Sequence, residues 1–187
     1  MVKFLICVSC LVAVIVLYPY FRIFLKRITL KRKLCRLCKK HGYSLTPTHP
    51  NWIFGTRRRE NCDFYIETSD TVYAVKLFAV KRYHSELRLT EHRGYYIRSY
   101  IAFISGQMAR MPIDSKLKSI PFYHFHYRMP ESAYTKQSKP ILLVHPICHE
   151  IRFLAPTEER VLSSGENVNR MFLYSSSALL DELRGLQ

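Results

Sequence analysis

The sequence predicts an α/β or α+β chain in which one N-terminal transmembrane helix leads into a single domain, built on one mixed, mostly antiparallel β-sheet with flanking helices. Three observations predict it. An uncharged run of 18 residues, Phe4 to Phe21, opens the chain; a basic stretch with leucines at spacings of three and four follows it; and from Cys62 onward, runs of β-branched and aromatic residues alternate with turn compositions. The boundaries fall at residues 1–25 for the anchor and 26–187 for the domain. Roughly 160 residues are enough for one hydrophobic core.

The first element is argued from length. A bilayer core of about 30 Å needs roughly 17 to 25 helical residues, which Phe4 to Phe21 supplies, with Tyr18 and Tyr20 suited to the interfacial belt. Pro19 sits near the helix end, where a lost backbone donor costs least. A cleaved signal peptide is the competing reading, but the run ends in Tyr-Pro-Tyr-Phe-Arg rather than in small residues. Lys3 alone precedes the run, whereas Arg22, Lys26, Arg27, Lys31, Arg32, Lys33, Arg36, Lys39 and Lys40 follow it. Positive flanks stay inside, so the expectation is a single-pass protein of the cell membrane, N-terminus outside and C-terminal domain cytoplasmic.

Residues 26 to 41 predict an amphipathic helix, with Leu30, Leu34, Leu37 and Cys38 as its apolar stripe and His41-Gly42 as its end. A loop rich in Thr and Pro comes next, then Trp52 to Phe54 as a short strand and Gly55 to Asn61 as a basic turn. Cys62 to Glu67 and Thr71 to Val80 read as a hairpin about Ser69-Asp70. Glu86 to Glu91 and Tyr95 to Ile104 continue it as a meander. Phe122 to Arg128, Ile141 to His145, Glu150 to Leu154 and Val168 to Tyr174 are further strands, and Ser175 to Ser177 cap a helix over 178–186.

The net charge of +15 is unevenly spread. No acid precedes Glu60, and 13 of the 29 Lys and Arg lie before it, leaving 16 basic against 14 acidic residues in the rest. Arg27, Lys31, Arg32 and Lys33, with Arg57, Arg58 and Arg59, are therefore candidates for binding lipid or other phosphates. Anionic inner-leaflet lipids are the first expected partner, ahead of nucleic acid, and a protein docking on the aromatic strand near Phe122 is another. Cys35, Cys38, Cys62 and Cys148 fit free thiols in a reducing compartment rather than a disulfide framework. Cys35 and Cys38 form a C-x-x-C without a second pair, and His124 and His126 share a strand face without carboxylates, so no metal site is expected from either. Six glycines assemble no phosphate-binding loop, and no serine lies in a nucleophile elbow.

With a two-residue loop, the hairpin sets Glu67 opposite Val72, Tyr65 opposite Ala74 and Asp63 opposite Lys76. The plain reading is a cross-strand ion pair. The order of helix, short strand, strand bearing Asp63 and strand ending at Lys76 also resembles the PD-(D/E)XK nucleases, the restriction-endonuclease-like fold, from about Lys26 to Val80. That resemblance implies Asp63 as metal-binding acid, Lys76 as the catalytic lysine, Mg²⁺ or Mn²⁺ as cofactor and nucleic acid as substrate. The second acid of the pattern falls on Ala74, and a hard divalent ion normally takes at least one or two carboxylates. The expectation is therefore a membrane-tethered binding or interaction module without catalysis and without a cofactor, the alternative being a membrane-anchored nuclease with a rearranged site.

Overall fold

The computed structural model describes residues 2–54, 62–80, 85–91, 94–102, 110–119, 135–168 and 170–185, without the side chains of 2–13, 15, 16, 19, 101, 102, 110, 111 and 119. Helix α1 runs unbroken from Val2 to His41, so the apolar run and the basic amphipathic stretch are one rod. Its end is built by Gly42 at φ 72°, which lets the Tyr43 N–H donate back to the Cys38 carbonyl at 2.9 Å and close the last turn. The expected stripe of Leu30, Leu34, Leu37 and Cys38 is buried. Among the described residues, no helix is long and apolar enough to cross a membrane; most side chains of the 4–21 run lie outside them.

Two mixed sheets, rather than one, form the domain. The first has the order β1 (Ser44–Pro47), β2 (Phe64–Glu67), β3 (Thr71–Phe78), β8 (Gln137–Val144), β12 (Met171–Ser175), β11 (Asn167–Val168). β3, β8 and β12 are parallel, and β1, β2 and β11 run against their neighbours. The second sheet has the order β10 (Glu158–Val161), β9 (Glu150–Ala155), β4 (Ser85–Thr90), β5 (Gly94–Ala102), β6 (Arg110–Asp114), with β7 (Lys118–Ser119) also on β5. α1, the 3₁₀ turn Trp52–Phe54 and α2 (Ser176–Gly185) pack on one face of the first sheet around Phe64, Ile66, Tyr73, Val75 and Leu143. Leu142, Val144, Met171 and Leu173 point from its other face onto Leu87, Leu89 and Ile151 of the second. Helices, sheet and sheet thus make three layers with two cores.

Several expectations are corrected. The meander is broken after β3, because β3 takes β8 as its parallel neighbour while β4 pairs with β9 and β5. A run as continuously apolar as β3, covered on both faces, belongs at the centre of a sheet rather than on a meander. Trp52 to Phe54 is a 3₁₀ turn, held by Trp52 N–H to His49 O and Phe54 N–H to Asn51 O. The strand expected over 168–174 is split by a tight turn with Arg170 at φ 68°. Phe122 to Arg128, with His124 and His126, and the Gly55 to Asn61 turn lie outside the described residues.

Candidate functional site

The hairpin register places the candidate pair. Phe64 faces Val75 and Glu67 faces Val72, as two-residue turn chemistry requires, and the Asp63 N–H extends the ladder to the Val75 carbonyl at 2.8 Å. Asp63 and Lys76 therefore stand side by side, Lys76 Nζ 3.4 Å from Asp63 Oδ1. Asp63 is 0% exposed and Lys76 2%. Oδ2 accepts the Leu77 backbone N–H at 2.7 Å, and His49 Nε2 lies 3.8 Å from Oδ1. His49 is positioned by β1, whose continuation bonds Thr48 N–H and Oγ1 to the Asp63 carbonyl.

Another basic residue comes from α1. Arg27, buried at 7% exposure, donates from Nη1 to the Ile53 carbonyl at 3.3 Å, and among the described residues its Nε finds no hydrogen-bond partner. Burial pushes the Arg27 guanidinium below its ordinary range, and the Asp63 charge pulls it part of the way back. The basic stretch suggests Arg27 as a lipid or phosphate ligand, yet it precedes Leu30 by three residues and Leu34 by seven, and so shares their buried face. That spacing was the signal that identifies it. Lys31, Arg32 and Lys33 are exposed on α1, Lys31 Nζ reaching over the Trp52 ring at 5.8 Å; Arg57, Arg58 and Arg59 lie outside the described residues.

One end of the first sheet gathers these groups. His145, just past β8, donates its N–H to the Phe78 carbonyl at 2.8 Å. Its ring joins Ser176 Oγ at 2.9 Å on α2 and the Lys26 carbonyl at 3.1 Å on α1. Nothing in the local sequence marks His145 or His49 as members, since both sit in loops whose partners are distant in the chain. A separate cluster lies beneath α2, where Lys139 bonds Glu182 at 2.6 Å and Tyr174 at 2.8 Å. Nearby, a cleft of about 510 Å³ lies between Tyr43 and Thr68, with Lys136 bonded to Glu67 at 2.8 Å in its wall.

A divalent metal does not fit the Asp63 end. The acids expected there reduce to Asp63, since Ala74 fills the other place, and the Asp63 oxygens already face an ammonium, an amide N–H and an imidazole. Among the described residues, no three His, Cys, Asp or Glu groups converge as metal ligands. Cys38, Cys62 and Cys148 are buried free thiols, pushed by burial up to about 11. Compared with protein-family models, curated proteins and solved structures, the chain matches none.

Proposed function

We propose that this chain is a membrane-tethered interaction module without catalysis, anchored by Phe4 to Phe21 with its N-terminus outside and its α/β domain on the cytoplasmic face. The observation that carries this reading is the continuity of α1: the rod that bears the uncharged run also forms the core strut through Leu30, Leu34 and Leu37. Whatever holds the first half therefore holds the domain rigidly, with no flexible linker between. Lys31, Arg32 and Lys33, exposed on α1 past the anchor, offer positive charge to an anionic leaflet, and the sequence adds Arg57, Arg58 and Arg59. The burial of Asp63 and Lys76 supports the reading without catalysis.

Two experiments test the reading. Protease added outside intact cells should spare the domain, and carbonate washing should leave the chain in the membrane; digestion or release overturns the tether.

A PD-(D/E)XK-like nuclease remains the second reading, favoured by the adjacency of Asp63 and Lys76 and by the strand order β1, β2, β3, β8 behind a core helix. DNA or RNA cleavage with Mg²⁺ or Mn²⁺, abolished by Asp63→Ala, would make it the better one.

A further inference from the structure

α1 supplies a ruler along the membrane normal. At about 1.5 Å per residue, Phe24 lies about 5 Å beyond Phe21 along the helix axis and Arg27 about 9 Å. The head-group layer beyond each face of the hydrocarbon core is about 5–7 Å deep. Three contacts join α1 to the domain over residues 24–27, the first of them within that depth. Phe24 stacks on Phe54 with centroids 5.3 Å apart, the Lys26 carbonyl meets His145, and Arg27 holds the Ile53 carbonyl. Among the described residues, the 3₁₀ turn and the turn after β8 therefore meet α1 just past the apolar run.

Phe54 is the exception in its own turn. Trp52 and Ile53 enter the core, at 3% and 4% exposed, whereas Phe54 is 46% exposed. Its ring continues a series with Phe24 and Phe21, whose rings lie 6.4 Å apart and are also exposed, with Leu25 beside them. Past the turn after β8, Ile147 is exposed at a comparable level. An aromatic row of this kind is continuous with the uncharged run, and the first 59 residues contain no acid to repel an anionic leaflet.

We propose that Phe54, stacked on Phe24, beds into the head-group layer of the bilayer, so that the Asp63–Lys76 end of the first sheet faces the membrane. This rests on the tether reading and adds orientation to it. A ring at that depth removes apolar area from water and fits the preference of aromatic side chains for the interface. It also closes the Asp63 end to a nucleic-acid duplex, because the bilayer occupies the approach.

The test replaces Phe54, Leu17 or Val161, all exposed positions, with the photoreactive analogue p-benzoylphenylalanine in the full chain. Each variant is reconstituted in vesicles of mixed phosphatidylcholine and phosphatidylglycerol, irradiated and read by mass spectrometry. Lipid adducts at 54 and 17, with none above the dark control at 161, are the expected result. Adducts at 17 without adducts at 54 overturn the orientation and leave the tether standing, as does a cross-link from 54 to a second copy of the chain in place of lipid. No adduct at 17 overturns the tether, and this inference with it.

Discussion

The carboxylate of Asp63 accepts the backbone N–H of Leu77 at 2.7 Å, a bond that carries the β2–β3 pairing past its last ladder residues and into the Lys76 ion pair. One side chain thus serves as both counter-ion and strand cap in a place without water access. Removing one partner of a buried pair typically costs about 3–5 kcal/mol. Asp63→Ala should destabilise by that order, and Asp63→Asn by less, since its amide oxygen still serves Leu77. Asp63→Ala combined with Lys76→Met should recover part of the loss through coupling of about 0.5–3 kcal/mol. Urea titration of the full chain in detergent micelles, followed through Trp52 fluorescence, reads all three. A loss from Asp63→Ala too small to measure would leave the pair without a structural role.

Leu34 is fully buried where α1 meets the first sheet. Leu34→Ala removes three heavy atoms from that contact and should cost about 2–5 kcal/mol, whereas Arg36→Ala on the exposed side of the same turn should lie within about 0.5 kcal/mol. If the two substitutions lowered the urea midpoint alike, α1 would be a tether loosely laid on the domain rather than its strut.

The hairpin was legible in the sequence because its information is local. Thr68 and Thr71 close the two-residue loop, with Thr71 N–H bonded to Thr68 Oγ1 at 3.1 Å, and alternation does the rest. β1 was not legible, since Ser44-Leu45-Thr46-Pro47 has loop composition; as an edge strand it tolerates Pro47, which a central strand would not. Trp52 to Phe54 misled because residues with strand propensity are held here by burial of two of the three side chains in a helical turn. The division into two sheets depends on β3 finding β8 across more than fifty residues of chain, a parallel pairing that no local pattern encodes. The candidate site divides the same way: Asp63 and Lys76 follow from register, while His49 and His145 arrive through tertiary contacts alone.

Ser175 caps α2, its Oγ accepting the Ala178 N–H at 3.2 Å. Ser175→Ala should cost about 1 kcal/mol and Ser175→Asp much less, because the carboxylate can accept the same bond and favours the positive end of the helix. Thermal unfolding followed by circular dichroism distinguishes them. No loss from either would mean that Ser175 acts through its backbone N–H to Ser164 Oγ, which both variants keep.

His145 predicts a pH dependence separable from that of the carboxylates. Its ring bridges α1 and α2, and the Lys26 carbonyl can only accept, so Nε2 carries the proton and Nδ1 accepts from the Ser176 hydroxyl. Burial, first, and the nearby Arg27, Lys26 and Lys33 charges oppose a second proton, holding His145 below the ordinary histidine range despite the opposing pull of the Lys26 carbonyl. The unfolded chain therefore binds that proton first. Stability from this group is complete above the unfolded value of about 6.5 and declines as pH falls below it. Glu86 and Glu182 behave differently. Burial raises both, but hydrogen bonds from Tyr100 and Arg88 to Glu86, and from Lys139 and Tyr174 to Glu182, outweigh it, so their contribution is lost only as pH falls through the carboxylate range. Urea midpoints should thus fall in two stages, and His145→Gln, which keeps a donor for Lys26, should flatten the first while leaving the second. A first stage unchanged in His145→Gln would assign it to another histidine and remove His145 as the link between the two helices' response to pH.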